Sequence, residues 1–314
     1  MKRAFVFPGQ GSQSPGMGQA LAEAFPAARR LFDEVDEALS QHLSQLMFEG
    51  PESELTLTEN AQPALLAVSL AVIRVIESEA GFAIAGEAAY VAGHSLGEYS
   101  ALAAAGALSV PEAVRLVKRR GQAMQKAVPV GEGAMAALLG LDVETACAVA
   151  EAAAQGEVCA VANDNCPGQI VVSGHKGAVE RAVALAAGRG ARRSIMLPVS
   201  APFHCSLMSP AADIMAEALA ATALKAPVVP LVANVTAAAT SDPEEIKRLL
   251  VEQATRMVRW RESVLFFAEN GVEEVVEIGA GRVLAGLVKR VDRTLSARSV
   301  GTTAEVEQLM ARLT

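Results

Sequence analysis

Residues 92–99, AGHSLGEY, form the stretch that decides the fold. Its Gly-x-Ser-x-Gly core around Ser95 is typical of a nucleophile elbow, a sharp turn that joins a strand to a helix. Glu87–Ala92 (EAAYVA) has the character of a short buried strand, and Leu96–Ala107 is rich in helix-forming Ala and Leu. Glycine two residues before and after the serine relieves the crowding of such a turn. The sequence therefore predicts a serine hydroxyl lifted above a sheet at a helix N-terminus.

The composition favours a sheet covered by helices. Hydrophobic residues make up 52% of the 314-residue chain and aromatic residues only 4%, so the core is mainly aliphatic. Such a core suits a buried parallel sheet, and the alternation of predicted strands and helices indicates an α/β fold. The formal net charge of −8 disfavours nucleic acid and anionic membrane surfaces as partners. Helices are predicted, among other places, at Ala20–Ser40, Gln62–Glu79 and Glu112–Ala127.

Cysteine usage and apolar runs indicate the compartment. The four cysteines show no C-x-x-C pairing, so we expect reduced thiols in a cytoplasmic protein, with neither a disulfide framework nor a metal site. The apolar stretch Ala64–Ile73 stops at Arg74 and is too short to span a bilayer, so no membrane partner is expected.

A glycine-rich loop follows the first predicted strand, Arg3–Phe7. Residues 8–13, PGQGSQ, do not fit the phosphate-binding pattern G-x-x-x-x-G-K-[ST]. In a parallel sheet this loop lies at the same carboxyl edge as the Ser95 elbow, where ligands bind. The backbone N–H of Gln10 is therefore expected to face the serine.

Residues 130–198 predict a small second domain, and residues 1–129 with 199–314 predict a larger one. Pro129 and Pro198 bound the small domain, whose elements follow the β-α-β-β-α-β order of ferredoxin-like folds. Its strands are predicted at Ala134–Leu139, Val158–Ala162, Gln169–Ser173 and Arg193–Val199, its helices at Val143–Ala154 and Ala178–Ala187, and a turn at Asn163–Gly168.

A nucleophilic serine needs a neighbouring base to take its proton. His42 is predicted at the surface, His175 in a turn of the small domain, and His94 next to the serine but pointing away from it. His204 lies in a proline-marked loop that returns to the main sheet, which makes it the best candidate for the base of Ser95. No acidic residue stands out as a third member, so a backbone carbonyl or an amide side chain is expected to orient the imidazole.

Several motifs together resemble malonyl-CoA:acyl carrier protein transacylases and the acyltransferase domains of fatty-acid and polyketide synthases. They follow one another in family order over nearly the whole chain, as FPGQGSQ at 7–13, GHSLGE at 93–98, RGQAMQ at 120–125, NDNCPGQ at 163–169, FHC at 203–205, and EIG at 277–279 before Lys289-Arg290. The resemblance implies a larger α/β-hydrolase-like domain with a parallel sheet and an inserted, ferredoxin-like small domain.

The resemblance also implies a ping-pong reaction. The malonyl group would pass from malonyl-CoA to Ser95, with His204 as base, and then to the pantetheine thiol of acyl carrier protein, without a metal or redox cofactor. The remaining roles that it implies are oxyanion binding by the N–H groups of Gln10 and Leu96, malonyl binding by Arg120, Met124, Asn163 and Phe203, and orientation of the histidine by Gln253.

Basic residues are the candidates for docking an acidic carrier protein. They are Lys118-Arg119, Arg189, Arg192-Arg193 and Lys289-Arg290. Arg119 and Arg120 are about 100° apart on one helix, so only one need face the cleft. The enzyme is expected to be a monomer.

Three other functions stay open. The elbow alone would allow a serine esterase or thioesterase, although Arg120 argues against it because a general esterase gains little from a buried cation. A non-catalytic subunit that binds carrier protein would not need Ser95 and His204, and both are present. A stand-alone acyltransferase of a polyketide pathway is the alternative to fatty-acid synthesis.

Overall fold

The computed structural model describes residues 1–199 and 201–313. The part of the chain before residue 130 contributes two neighbouring strands and a layer of helices. These elements are β1 (Arg3–Phe7), α1 (Gln19–Ala24), α2 (Pro26–Leu39), α3 (Leu43–Glu49), α4 (Glu52–Leu55), α5 (Thr58–Ala80), α6 (Ile84–Glu87), β2 (Tyr90–Gly93), α7 (Gly97–Ala104) and α8 (Val110–Ala127). The helix predicted over 20–40 is thus two helices, because Pro26 cannot continue α1 and instead starts α2.

The middle part of the chain forms a separate antiparallel sheet. Its elements are β3 (Gly133–Leu139), α9 (Val143–Ala154), β4 (Cys159–Cys166), β5 (Gln169–His175), α10 (Lys176–Gly188) and β6 (Arg193–Met196). The strands lie in the order β4-β5-β3-β6, and each neighbouring pair is antiparallel. The predicted β-α-β-β-α-β order is therefore confirmed, while the domain boundaries at 130 and 198 stay a prediction.

The turn predicted at Asn163–Gly168 is confirmed only at residues 167–168, because β4 continues to Cys166. Asn and Asp favour turns when their side chains are free to bond the local backbone. Here the side chains of Asp164 and Asn165 bond instead to Arg261 and His94, at 2.8 and 2.9 Å. Irregular pairing with β5 at Val161/Asn163 and Asp164/Cys166 accommodates these polar residues within the strand.

The rest of the chain returns to the first sheet. After a 3₁₀ turn at Ser206–Met208, its elements are α11 (Ser209–Ala220), β7 (Leu231–Val232), β8 (Ala239–Thr240), α12 (Pro243–Gln253), α13 (Trp260–Glu269), β9 (Glu274–Ile278), α14 (Val283–Val291), β10 (Ser296–Val300) and α15 (Thr303–Leu313). The strand order is β10-β9-β1-β2-β7-β8, with parallel pairing throughout except at β7–β8. The mixed α/β architecture with one parallel-containing sheet confirms the predicted fold class.

Helix α5 occupies the centre of the helical layer. It has 23 residues, longer than the apolar stretch Ala64–Ile73 suggests, and it is long and apolar enough to cross a membrane by those two criteria alone. However, 83% of its apolar window is buried, and it packs against α2 and α8. Its apolar character is accounted for by this central position in the core.

The elbow lies where β1 and β2 end side by side, with Phe7 opposite Gly93. A Cβ at Gly93 would lie 1.8 Å from the carbonyl carbon of Gly97, and one at Gly97 would lie 2.2 Å from the carbonyl oxygen of Phe7. Ser95 between them has a φ of 54°, in the left-handed region. The two glycines therefore permit the turn in the way that the sequence predicted.

Candidate active site

The hydroxyl of Ser95 meets the imidazole of His204. The distance from Ser95 Oγ to His204 Nε2 is 2.8 Å. The other ring nitrogen, Nδ1, donates to the backbone carbonyl of Gln253 at 2.8 Å. This bond fixes the tautomer in which Nε2 is free to accept the serine proton. A backbone carbonyl thus takes the place that an acidic residue has in a Ser-His-Asp triad.

His204 is a neutral base in this setting. It is only 4% exposed, and burial, together with the charge of Arg120, lowers its pKa to about 3, although the Gln253 carbonyl opposes the shift. Deprotonated imidazole therefore predominates at neutral pH, which is the form that accepts a proton.

In the described part of the chain, no hydrogen bond joins the other three histidines to this pair. His94 is partly buried, its Nε2 donates to Oδ1 of Asn165 at 2.9 Å, and its ring packs 5.8 Å from that of Trp260. His42 is exposed, while His175 ends β5 and its Nδ1 accepts the N–H of Val158. Among the described histidines, only His204 hydrogen-bonds to Ser95.

Arg120 is a buried cation beside the serine. The residue is 2% exposed, and its Nη2 donates to Ser95 Oγ at 3.0 Å. Gln62 and Gln253 accept its other side-chain bonds, at 2.9 and 2.8 Å. The neighbouring Arg119 is half exposed and pairs with Glu217 at 3.7 Å. Arg120, not Arg119, therefore faces the cleft.

Close packing of α8 on the start of α5 brings Arg120 inward. A Cβ at Gly121 would lie 2.6 Å from the Cα of Glu59, so only glycine allows this approach. The capping box of Ser109 and Glu112 fixes the start of the same helix. The sequence pattern RG at 120–121 thus combines the charged residue with the glycine that lets its helix pack closely enough to bury it.

The side chain of Gln253 contacts the serine and not the histidine. Its Nε2 donates to the backbone carbonyl of Ser95 at 2.9 Å and to Glu98, while its Oε1 accepts from Arg120. Gln253 bonds to the histidine through its backbone carbonyl and not through its side chain. Asn234, Glu98 and Gln62 complete the surroundings, and sequence reasoning missed all three. The Glu of GHSLGE was within the recognised motif, but no local pattern marks Asn234 or Gln62.

A cavity of about 820 Å³ opens in front of the serine, between the two sheets. Met135, Leu197, Pro198 and Val199 line it from the side of the antiparallel sheet. All of the predicted substrate and oxyanion residues also line it, namely Gln10, Leu96, Arg120, Met124, Asn163 and Phe203.

Two backbone N–H groups are available at the cavity wall. In the described part of the chain, no hydrogen bond joins the N–H of Gln10 or Leu96 to a protein acceptor. Leu96 precedes α7, so its N–H belongs to the positive end of that helix. Both groups are therefore free to stabilise negative charge that develops in the cavity.

The predicted docking residues differ in their solvent exposure and in the hydrogen bonds that their side chains make. Arg189, Arg192, Arg193 and Lys289 are exposed, and Arg290 is exposed with Nη1 bonded to Gln169 at 2.5 Å. Lys118 is partly buried, and its Nζ donates to Gln41 and Asn60 at 2.9 Å each. Lys118 is thus part of the helix packing and not of an open basic surface.

The elbow serine, its histidine and the fold together define an enzyme of the acyltransferase class. The model of the acyl transferase domain family matches residues 4–312. A malonyl CoA-acyl carrier protein transacylase of Bacillus subtilis (strain 168) is 50% identical over 98% of this chain and 95% of its own.

Solved structures narrow the class further. The acyl-carrier-protein-S-malonyltransferase of Bartonella henselae has a TM-score of 0.97 and 54% identity, covering 100% of this chain and 99% of its own. A malonyl-transacylase in complex with its type II PKS acyl-carrier protein has a TM-score of 0.96 and 45% identity, covering 99% of this chain and 100% of its own. The chain belongs to the family of malonyl CoA-acyl carrier protein transacylases.

The lowered pKa of His204 predicts a flat pH profile. Inactivation of Ser95 by a small neutral fluorophosphonate should not change between about pH 5 and 7, because His204 stays deprotonated above its pKa of about 3. A histidine with an ordinary pKa near 6.5 would make the rate rise roughly 25-fold over this interval. The second-order inactivation rate constants measure the difference, with Ser95→Ala as the control for labelling elsewhere. A rise of that size would contradict the neutral, buried base.

Proposed function

We propose that this enzyme transfers the malonyl group of malonyl-CoA to the pantetheine thiol of acyl carrier protein, through a malonyl ester on Ser95. The observation that carries the proposal is the buried Arg120 guanidinium, 3.0 Å from the nucleophilic oxygen. A carboxylate at the far end of a short acyl chain is the group that such a cation fits. The names of the relatives agree with this substrate.

In the first half-reaction, Ser95 Oγ attacks the thioester carbonyl while His204 Nε2 takes its proton. The carbon–sulfur bond then breaks, and the imidazolium returns the proton to the sulfur of coenzyme A. The 2.8 Å contact between the two side chains is short enough for this transfer. The Gln253 carbonyl stabilises the imidazolium by accepting from Nδ1.

The tetrahedral intermediate carries negative charge on the former carbonyl oxygen. The free N–H groups of Gln10 and Leu96 are proposed as its oxyanion hole, since both line the cavity beside Ser95. Met124, Asn163 and Phe203 are proposed to contact the acyl chain from the same cavity. The ring of Phe203 would narrow the space beside the acyl Cα and so favour malonyl over branched acyl groups.

In the second half-reaction, the pantetheine thiol of acyl carrier protein gives its proton to His204 and attacks the ester. The malonyl thioester forms, and the proton returns to Ser95 Oγ. The exposed cations Arg192, Arg193, Lys289 and Arg290 are proposed to attract the acidic carrier protein. No metal or redox cofactor takes part in either step of this scheme.

The proposed setting is fatty-acid synthesis in the cytoplasm, by a monomeric enzyme. A polyketide pathway is the second candidate, because one similar structure is of a malonyl-transacylase with a type II PKS acyl-carrier protein. A serine esterase or thioesterase is disfavoured by the buried Arg120, and a non-catalytic subunit is disfavoured by the intact Ser95–His204 pair.

The function is tested by following radiolabelled malonyl-CoA. The wild type should retain label after precipitation and pass it to added acyl carrier protein, because the ester on Ser95 is a true intermediate. Ser95→Ala should retain none and transfer at least about 10³-fold more slowly, because the described site offers no second nucleophile in the elbow.

The same experiment separates the alternatives. An esterase would release free malonate without a carrier, and a binding subunit would neither retain nor release label. Retention of malonyl label by Ser95→Ala would contradict the proposed intermediate.

Arg120 should control the choice of acyl donor. Arg120→Ala should lower kcat/KM for malonyl-CoA by about 10²–10³-fold, since the malonyl carboxylate loses its buried partner. Transfer from acetyl-CoA should be unchanged or faster, because an unpaired cation no longer opposes a neutral acyl chain. The measurement is kcat/KM for both donors.

Arg119→Ala is the matched control, with the same change one residue earlier on the exposed face. It should leave the ratio of the two donors unchanged. Equal losses for both donors in Arg120→Ala, or a changed ratio in Arg119→Ala, would contradict the proposed carboxylate site.

A further inference from the structure

Glu98 is a buried carboxyl that the proposed reaction steps do not use. It lies in the first turn of α7, three residues after Ser95, and is 1% exposed. Its Oε1 accepts the backbone N–H of Asn234 at 2.6 Å, and its Oε2 accepts from Nε2 of Gln253. Burial raises the pKa of Glu98 to about 8, although the bonds from these two residues and the charge of Arg120 oppose the rise. Since both oxygens face N–H donors, the ionised form is the one that its surroundings satisfy.

The two partners of Glu98 hold the backbone of the nucleophile. Oδ1 of Asn234 accepts the backbone N–H of Ser95 at 2.8 Å, and Nε2 of Gln253 donates to the backbone carbonyl of Ser95 at 2.9 Å. Asn234 also donates through Nδ2 to the carbonyl of Gly93 at 2.7 Å. A serine with a φ of 54° is in a conformation that costs free energy, so fixed partners on both sides are needed to keep it there.

Glu98 also decides which way the Gln253 amide points. An ionised carboxylate only accepts hydrogen bonds, so it draws the NH₂ of Gln253 to its side and leaves Oε1 facing Arg120. The flipped amide would set oxygen against oxygen at Glu98 and NH₂ against the guanidinium. It would also remove the donor from the Ser95 carbonyl.

We infer that Glu98 is a positioning residue for acyl transfer: through Asn234 and Gln253 it holds the Ser95 backbone and the acceptor of Arg120 in their reactive arrangement. The inference rests on the proposed function, in which Ser95 forms the acyl-enzyme. Glu98 itself touches neither the acyl group nor the imidazole, and it acts through its two amide partners.

The test replaces the carboxylate by an amide of the same shape. Glu98→Gln puts an NH₂ group against a donor, either the N–H of Asn234 or the NH₂ of Gln253. The matched control is Glu277→Gln, because Glu277 is also fully buried and accepts the N–H groups of Leu284 and Ala285, at 3.1 and 2.8 Å, but in the described structure it bonds to neither Asn234 nor Gln253. Rapid-quench measurement over a series of donor concentrations gives the saturating rate of acyl-serine formation and the KM for the donor, and thermal unfolding gives Tm for each variant.

The expected result separates positioning from stability. Glu98→Gln should slow acylation by malonyl-CoA about 10- to 100-fold, in line with the loss of buried hydrogen bonds, with a smaller change in KM. Acylation by acetyl-CoA should slow as well, since the Ser95 backbone is displaced whichever donor is bound. Glu277→Gln should lower Tm while its folded fraction acylates at the wild-type rate.

Three outcomes would overturn the inference. They are a normal acylation rate in Glu98→Gln, an equal slowing in Glu277→Gln, or a loss confined to malonyl-CoA. If Glu98→Gln does not fold, Glu98→Asp keeps the charge but shortens the arm, and a normal acylation rate in that variant would equally overturn the inference. Failure of the wild type to form acyl-Ser95 would refute the proposed function instead, so the two failures are distinguishable.

Discussion

The burial of the Arg120 guanidinium beside the Ser95 hydroxyl is the constraint on which the site depends. A buried cation without partners costs several kcal/mol, so its donors must meet acceptors. Gln62 on α5, Gln253 at the end of α12 and the elbow serine supply them. The same charge helps to keep His204 deprotonated. One buried side chain thus joins three distant parts of the chain, and its charge also acts on the protonation state of the base.

The antiparallel sheet forms the second wall of the cavity. Strand β4 attaches this sheet to the rest of the protein. Asp164 donates its backbone N–H to the carbonyl of Val258 at 3.0 Å, and its side chain pairs with Arg261. Asn165 bonds to His94 directly beside the nucleophile. These polar contacts fix the sheet against the edge of the parallel sheet that carries the elbow. The cavity in front of Ser95 therefore has walls from both sheets.

Local chemistry accounts for what the sequence predicted correctly. Glycine spacing marked the elbow around Ser95, because the crowding of the turn leaves its trace at neighbouring positions. Arg120 was identified through the resemblance of RGQAMQ at 120–125 to the family. The polar residues at 163–166 were wrongly assigned to the turn, because Asp164 and Asn165 bond to Arg261 and His94, far along the chain. The hydrogen bonds from the side chains of Asn234 and Gln253 to the Ser95 backbone could not be predicted either, because these residues lie 139 and 158 positions away from Ser95 in the sequence. Periodicity reports local structure, and only the fold brings such partners together.

A crystal structure of the wild type trapped with malonyl-CoA tests the central claim most directly. The account predicts an ester bond between Ser95 Oγ and the malonyl carbonyl carbon. The distal carboxylate should lie within about 3 Å of the Arg120 guanidinium. The carbonyl oxygen of the ester should lie at a similar distance from the N–H groups of Gln10 and Leu96. A malonyl group bound to another residue, or a carboxylate turned to solvent with Arg120 still bonded to Gln62 and Gln253 alone, would contradict the account.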